Sequence, residues 1–335
     1  MHSYFKYLLT VCIIFVSTIV SAQPDSLFFK KKTNADIQLG WRTKKEAGLY
    51  LNQVSFTNWN AGGTNSISGI ISGKASAKYK QEKYFWNSSI NMRYGLNKQE
   101  GESVFKTEDV IEVISNFGLE KDPQSNWFYS ARFSFNTQFS NGFNYPNRDE
   151  PISRFMAPGY MFLGLGMEYG RHIERMSFYA SPFTLKTTFV LDDDLANRGA
   201  FGVDPAIYDM EGNILQNGQK IRRELGILLT NQFEEELFEN IKVNSLLRLY
   251  TDYLNSFGNI DIDWELNVDM KVNQYVKATF GSHLRYDNDI KNKVEINEMT
   301  NEEILIEGPR LQWKQILGVG VVVDLDNIIG VVSKS

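Results

Sequence analysis

The chain has 335 residues but a single cysteine, Cys12, which lies in an apolar stretch near the N-terminus. Beyond this stretch there is no thiol, so the fold cannot rely on disulfides or on thiolate chemistry. The later sequence also lacks any run of about 18 apolar residues, which excludes membrane-spanning helices. Only His172 and His283 follow the apolar stretch, and we therefore expect neither a zinc site nor any other metal or cofactor.

The sequence has no clustered basic face either. Residues 1–22 have the features of a secretory signal, because Lys6 precedes an apolar stretch at residues 7–20 and the small residues Ser21 and Ala22 end it. Removal of this signal leaves 34 basic and 40 acidic side chains, a formal charge of −6. Charges of both signs are spread along the chain, which argues against a nucleic-acid partner.

What the sequence does contain is a strict alternation of apolar and polar residues, clearest at residues 261–273. A period of two puts successive side chains on opposite faces of a strand. The apolar positions are Ile262, Trp264, Leu266, Val268, Met270 and Val272, and the polar positions between them are Asp263, Glu265, Asn267, Asp269 and Lys271. The pattern resumes over residues 275–287, which predicts two paired strands, each with one apolar and one polar face.

Strand patterns of this kind fill nearly the whole chain, and the connections between them alternate between short and long. An up-and-down meander puts every second connection at the same end, so this alternation predicts one end with tight turns and one with long loops, as in outer-membrane barrels. The predicted strands are residues 47–57, 66–80, 83–97, 106–119, 126–140, 159–170, 176–191, 219–232, 239–253, 259–272, 275–287 and 311–325.

We therefore predict an all-β protein with a single antiparallel up-and-down transmembrane β-barrel of about 12 strands, located in the outer membrane of a Gram-negative cell. The predicted organisation is a signal peptide at 1–22, a polar N-terminal tail at 23–46, the barrel at 47–325 and a C-terminal tail at 326–335. The expected partners are outer-membrane lipid and the barrel-insertion machinery. The expected role is structural or the transit of small solutes, without catalysis.

Two alternatives from other classes remain open. One is a soluble periplasmic lipid-binding β-protein whose apolar strand faces point inward. The other is a barrel-embedded lipid hydrolase, which needs a base within hydrogen-bond reach of a hydroxyl nucleophile. Ser282 adjoins His283 in the sequence, but adjacent residues of a strand point to opposite faces, and His172 is predicted to lie in a tight turn.

The polar strand faces predict a charged lumen. One strand carries Asp261, Asp263, Glu265 and Asp269, and their spacing could place paired carboxylates for glycoside hydrolysis on one face. We favour an ordinary barrel interior, in which these acids form ion pairs with basic residues on neighbouring strands. Such pairs should narrow the lumen, so we expect little or no conductance, and an increase when Arg132 and Arg248 are changed to Ala. The predicted lumen-lining residues are Arg132, Asn136, Lys242, Arg248, Asp263, Glu265, Asp269, Lys271, Arg285 and Asp287.

A second group of acids falls in one long loop. Residues 192–194 are all Asp, and Asp204, Asp209, Glu211 and Asn213 follow. Hard oxygen ligands suit calcium, but the spacing matches no recognised calcium loop, which favours solvated loop acids.

Several short segments resemble the outer-membrane β-barrel-like proteins of domain-of-unknown-function family 3078. These segments span nearly all of the chain after the signal and lie at residues 59–65, 106–109, 127–130, 137–139, 153–160, 181–186 and 222–226. The resemblance implies an exported barrel-like protein and assigns no catalytic residues. One departure is the C-terminus, because barrels of this type usually end on a strand with a terminal aromatic residue, whereas this chain continues to Ser335.

Overall fold

The computed structural model describes residues 39–55, 64–122, 125–170, 176–254, 257–287, 295–296, 303–304 and 311–326. Within that part of the chain, twelve antiparallel strands close into one barrel, which confirms the predicted fold class. The strands are β1 (Gly40–Val54), β2 (Ser66–Lys80), β3 (Tyr84–Gln99), β4 (Phe105–Glu120), β5 (Trp127–Thr137), β6 (Gly159–Tyr169), β7 (Met176–Phe189), β8 (Ile221–Phe238), β9 (Ile241–Asp252), β10 (Asp261–Lys271), β11 (Val276–Tyr286) and β12 (Gln312–Asp324).

Each strand pairs with the next one along the chain, and β1 pairs with β12 to close the ring. The closing seam is short, because β1 and β12 pair only from Glu46 with Asp324 to Tyr50 with Gly320. In contrast, β1 and β2 pair over their whole lengths, from Gly40 with Lys80 to Val54 with Ser66. Both ends of the barrel chain therefore meet at the end where the tight turns lie.

The outer surface is apolar, as the alternation predicts. On β12, the outward-facing Trp313, Leu317 and Val319 have exposed fractions of 64%, 72% and 56%. The intervening Lys314 points inward and reaches Glu108 on β4, with 3.0 Å between Nζ and Oε2. Apolar side chains are thus on the outside and charged side chains on the inside, the reverse of a lipid-binding barrel that holds an apolar ligand in its interior.

Outward-facing aromatic residues cluster near the tight-turn end. Trp41 packs against Tyr79 and Trp86, with ring centroids 4.9 Å and 6.2 Å apart. Tyr84 extends the group, with its ring 5.9 Å from that of Tyr79. Aromatic side chains at this level of a barrel are typical of the boundary between lipid and water.

Three outward-facing tryptophans share one arrangement with a serine on the neighbouring strand. In each, the indole Nε1 donates a hydrogen bond to the serine hydroxyl, which satisfies the only polar group of the side chain. The pairs are Trp86 with Ser115 at 2.9 Å, Trp264 with Ser245 at 3.0 Å and Trp313 with Ser282 at 3.0 Å.

Two strands extend well beyond their predicted bounds. β1 begins at Gly40, seven residues before the expected start, so the predicted polar tail at 23–46 overlaps the barrel. Near its start β1 carries charges on both faces, which hides the alternation, but Trp41 points outward and Glu46 inward. β8 continues to Phe238, so the turn to β9 is tighter than the sequence pattern suggested.

The long loops around β6 and β7 pack on one another at the other end. Short helix α1 (Asp193–Asn197) begins with Asp192, whose side chain accepts a hydrogen bond from the backbone of Leu195. Arg154 of the preceding long loop donates to the same Asp192 at 2.8 Å. A small buried cluster lies between these loops and consists of Ala157, Val190, Leu195, Ala196 and Val203. None of the helices in the described residues is long and apolar enough to cross a membrane.

Candidate functional site in the barrel lumen

One side of the lumen is filled by packed side chains from β3 to β9. Phe85 and Phe128 are buried and make an edge-to-face contact, with ring centroids 5.4 Å apart. Tyr179, Leu228 and Tyr250 form a second buried cluster. This filling leaves most of the open space towards β10 to β12 and β1 to β4, with part of its lining from β5, β6, β8 and β9.

Glu168 is fully buried in the filled side. Its Oε2 accepts a hydrogen bond of 2.6 Å from the side-chain amide of Asn116. The guanidinium of Arg132 lies 3.8 Å from the same carboxylate and 4.5 Å from the ring centre of Tyr179. Arg132 is therefore held against the wall by side chains of β6 and β7.

Lys186 on β7 is the centre of a charge cluster near the long-loop end. Its Nζ lies 2.8 Å from Asp261, 3.6 Å from Glu224 and 3.8 Å from Asp287. These carboxylates come from β10, β8 and the residue that follows β11, so one buried ammonium joins separate strands across this part of the barrel. A buried cation needs such partners, because the cost of removing it from water is several kcal/mol.

Arg248 joins two nearly opposite walls. Its Nη2 lies 3.3 Å from Glu112 on β4 and 3.1 Å from Glu265 on β10. In the ring of strands, β9 and β4 are separated by four strands on one side and by six on the other. One guanidinium nitrogen therefore holds together two carboxylates that approach from different sides of the lumen.

Asp263 extends this network along β10. It lies 3.7 Å from Nη1 of Arg248, 3.3 Å from Nη2 of Arg285 and 3.3 Å from Nε2 of His283. Single donor atoms of Asp263, Glu265 and His283 lie within 4.8 Å of one another, a grouping that could hold a metal ion. Two guanidinium groups already neutralise these carboxylates, however, so the donor set fits an ion-pair network better than a cation site.

Two cavities occupy the open side of the lumen. The loop-side cavity has a volume of about 380 Å³ and is lined by polar residues that include Asn136, Tyr160 and Lys314. The turn-side cavity has a volume of about 340 Å³ and is lined by Lys74, Asp269 and others. Both linings include Arg93, Glu112 and Glu265, and we call these three residues the waist.

The lining of the turn-side cavity carries more carboxylates than cations, and five of these carboxylates also pair with cations outside the lining, namely Lys44, Lys242, Arg248 and Lys314. Among the described residues that line it, six are carboxylates and three are cations. The carboxylates are Glu46, Glu108, Glu112, Glu234, Glu265 and Asp269, and the cations are Lys74, Arg93 and Lys277. Asp269 accepts a hydrogen bond of 3.0 Å from the hydroxyl of Thr279.

The structure places the ten predicted lumen residues in several groups. Arg248, Asp263, Glu265 and Arg285 belong to one network. Asp287 joins the Lys186 cluster, and Asn136 and Asp269 line the two cavities. Arg132 lies on the filled side. Lys242 forms an ion pair with Glu234, and Lys271 is exposed at the tight-turn end of β10.

Sequence reasoning missed several of the residues that bridge the lumen. Glu108 and Glu112 on β4, Arg93 on β3 and Lys314 on β12 were not among the predicted residues. Arg93 lies 3.3 Å from Glu108 on the neighbouring strand, so this pair adds charge to the wall formed by β3 and β4. All four occupy polar positions of alternating strands, which is the signal that could have found them.

The loop acids have structural roles. Asp192 caps helix α1, and Asp209 accepts hydrogen bonds from the backbone and the side chain of Asn213 at 2.7 Å and 3.0 Å. These hydrogen bonds hold the pKa of Asp209 below its usual value, because they stabilise the ionised form. The carboxylates of Asp192 and Asp209 are thus already used within the loop.

Among the residues that the structure describes, the arrangement expected of a serine hydrolase is not formed around His283. This histidine faces the lumen and contacts Asp263, whereas the adjacent Ser282 faces outward and accepts the indole hydrogen bond of Trp313. His172, the other histidine considered, lies outside the described residues.

Fold and lumen together define a class, the closed β-barrel with an apolar outer face and a polar interior, which is the architecture of transmembrane β-barrels. Residues 51–143 match the sequence model of the family described as "Protein of unknown function (DUF3078)", which confirms the resemblance seen in the sequence. No curated protein sequence matches the chain.

Solved structures that resemble this one are outer-membrane barrels. An outer membrane channel from Pseudomonas putida F1 is 9% identical, with a TM-score of 0.39, 90% of this chain and 99% of that chain covered. The translocator domain of the autotransporter NalP from Neisseria meningitidis is 11% identical, with a TM-score of 0.31 and coverage of 85% and 89%. A FadL homologue from Pseudomonas aeruginosa is 9% identical, with a TM-score of 0.30 and coverage of 85% and 89%. At these identities the likeness is one of fold alone.

Proposed function

We propose that this protein is an exported outer-membrane β-barrel that provides a narrow passage for small solutes and has no catalytic activity. The observation that carries the proposal is the pair of polar cavities of about 380 Å³ and 340 Å³, whose linings share the three charged residues of the waist, inside an apolar outer wall. A purely structural barrel has no need of polar spaces on both sides of a charged waist.

The ion pairs across the lumen favour a small conductance. Barrels of eight strands are filled by side chains and those of sixteen leave a wide channel, so a barrel of twelve lies between these cases. Here the space is reduced further by the filled side and by the bridges from Arg248 to Glu112 and from Lys314 to Glu108.

Location and passage are tested in two steps. First, outer membranes are isolated and extracted with detergent, and the protein is run on a gel with and without heating. We expect it in the outer-membrane fraction, with a shift in migration on heating, as is typical of a folded barrel. Recovery in the soluble periplasmic fraction would instead support the lipid-binding alternative.

Second, the purified protein is reconstituted in planar bilayers. We expect discrete conductance steps well below those of a general diffusion porin measured in the same bilayers. Steps as large as those of the porin would refute the narrow passage. Folded and inserted protein that never conducts would refute solute transit altogether.

A further inference from the structure

We infer that the solutes that pass this lumen are small cations, and that Arg248 controls their passage by pinning the two carboxylates of the waist. This inference rests on the proposed role as a solute passage. It goes further in naming both the chemical class of the solute and the residue that restricts it.

The first part of the argument is the geometry at Arg248. Glu112 and Glu265 both bind its Nη2, at 3.3 Å and 3.1 Å, and the two carboxylates come from different walls. Two like charges this close would otherwise separate, since their repulsion is strong in a space of low dielectric constant. The guanidinium therefore keeps the waist narrow by cancelling that repulsion.

The second part of the argument is that three carboxylates surround the guanidinium of Arg248. Besides Glu112 and Glu265, it lies 3.7 Å from Asp263. The group that binds at the waist in this structure is thus a positively charged one with several hydrogen-bond donors. Asp263 and Glu265 lie on β10, next to β9, so Arg248 can release Glu112 and remain paired on its own side.

The third part is the charge of the turn-side cavity. Arg248 does not line it, but its two partners Glu112 and Glu265 do. Without these two, the lining still carries four carboxylates, Glu46, Glu108, Glu234 and Asp269, against the three cations Lys74, Arg93 and Lys277. Clefts lined by one sign of charge raise the local concentration of the opposite ion, and rings of Asp and Glu are typical of cation-selective channels. A cation that passes the waist enters a cavity whose carboxylates attract it, whereas an anion is repelled by them.

The test is ion selectivity in planar bilayers under a KCl gradient. Wild-type protein should pass a small current, with a reversal potential displaced from zero towards the equilibrium potential of K⁺. Arg248→Gln should pass a severalfold larger current that is still more selective for K⁺, because the two waist carboxylates are no longer pinned or neutralised. Glu265→Gln should shift the reversal potential towards that of Cl⁻.

Arg132→Gln is the matched control, since Arg132 also contacts a carboxylate but lies on the filled wall against Glu168 and Tyr179. This placement replaces the expectation from the sequence that removal of Arg132 increases the conductance. The control variant should leave both current and selectivity unchanged. Glu112→Gln is the second variant, in which Arg248 keeps Asp263 and Glu265 as partners. This variant should also increase the current, because Arg248 no longer bridges the lumen. Each variant is first tested for heat-modifiable migration, so that only folded protein is compared.

Chemical rescue of Arg248→Gln distinguishes the loss of the guanidinium group from a change in protein stability. Guanidinium ions at millimolar concentration should reduce the current of Arg248→Gln towards the wild-type level, whereas choline at the same concentration should not. The inference is overturned if folded Arg248→Gln and Glu112→Gln conduct like the wild type, or if the current is anion-selective. If no variant and no wild-type sample conducts, it is the proposed passage itself that fails.

Discussion

Ser245 on β9 accepts a hydrogen bond of 3.0 Å from the indole nitrogen of Trp264 on β10, on the outer surface of the barrel. In lipid this indole group has no water to bond, so the serine hydroxyl is its local partner. We predict that Ser245→Ala destabilises the protein by about 0.5 to 2 kcal/mol, as for other hydrogen bonds within membranes.

A double-mutant cycle with Trp264→Phe distinguishes this hydrogen bond from a general packing effect. Urea unfolding in lipid vesicles provides the free energies. The cost of Ser245→Ala should shrink in the Trp264→Phe background, because the donor is then absent. Additive costs would mean that the hydrogen bond contributes nothing.

Leu266 and Asn267 test which face of β10 meets lipid. Arg at Leu266 should cost about 2 to 4 kcal/mol of unfolding free energy if the position lies near the middle of the membrane. Arg at Asn267 should cost much less, because Asn267 lines the turn-side cavity, where water and carboxylates are present. Equal tolerance at the two neighbouring positions would contradict the orientation of the barrel.

Lys186 should be the most important single charge for stability. Lys186→Met removes the cation shared by Asp261, Glu224 and Asp287, and we expect a loss of about 3 to 5 kcal/mol, as when one partner of a buried pair is removed. Lys271→Met is the control, because Lys271 is exposed, and its effect should stay within about 0.5 kcal/mol. Similar unfolding midpoints for the two variants would show that the cluster does not stabilise the fold.

Gly320 allows the ring of Tyr50 to lie over the seam. A Cβ atom at Gly320 would overlap this ring and lie 2.8 Å from the backbone oxygen of Leu49, whereas a Cβ at Gly318 would be 3.8 Å from the ring. Gly320→Ala should therefore cost about 1 to 3 kcal/mol through overpacking, and Gly318→Ala much less. The comparison is measured by thermal loss of heat-modifiable migration, and the expectation fails if Gly318→Ala proves the more harmful.

The absence of hydrolysis is a prediction of its own. His283 is paired with Asp263, and its neighbour Ser282 faces the lipid side, so purified protein should not cleave phospholipids in mixed micelles. Activity that is present in the wild type and lost in His283→Ala would support the barrel-embedded hydrolase instead.

The fold could be predicted from the sequence because each strand carries its own period-two pattern. β10 shows why, since Trp264, Leu266 and Val268 alternate with charged or amide residues without a break. The start of β1 was missed because Arg42, Lys44 and Lys45 make both of its faces polar there. A local pattern cannot distinguish such a strand from a charged tail.

The lumen could be predicted only in part. The sequence indicates which residues face inward, and Arg248, Asp263, Glu265 and Arg285 were identified in this way. It does not indicate which inward residues meet across the barrel, because that depends on the stagger between distant strands. The contact from Arg248 to Glu112 spans 136 residues of sequence, and no spacing rule connects them.

The short seam between β1 and β12 has a consequence for how the protein is made. The backbone of Lys45 and the side chain of Asp326, which meet beside the seam, are 281 residues apart, so almost the entire chain must be in place before they can join. Hairpins between consecutive strands can form early, whereas we expect this junction, which has the fewest paired residues in the barrel, to form last. It is consequently the line along which a nearly finished barrel stays open longest during biogenesis, and the place where a defect in the first or last strand would halt assembly.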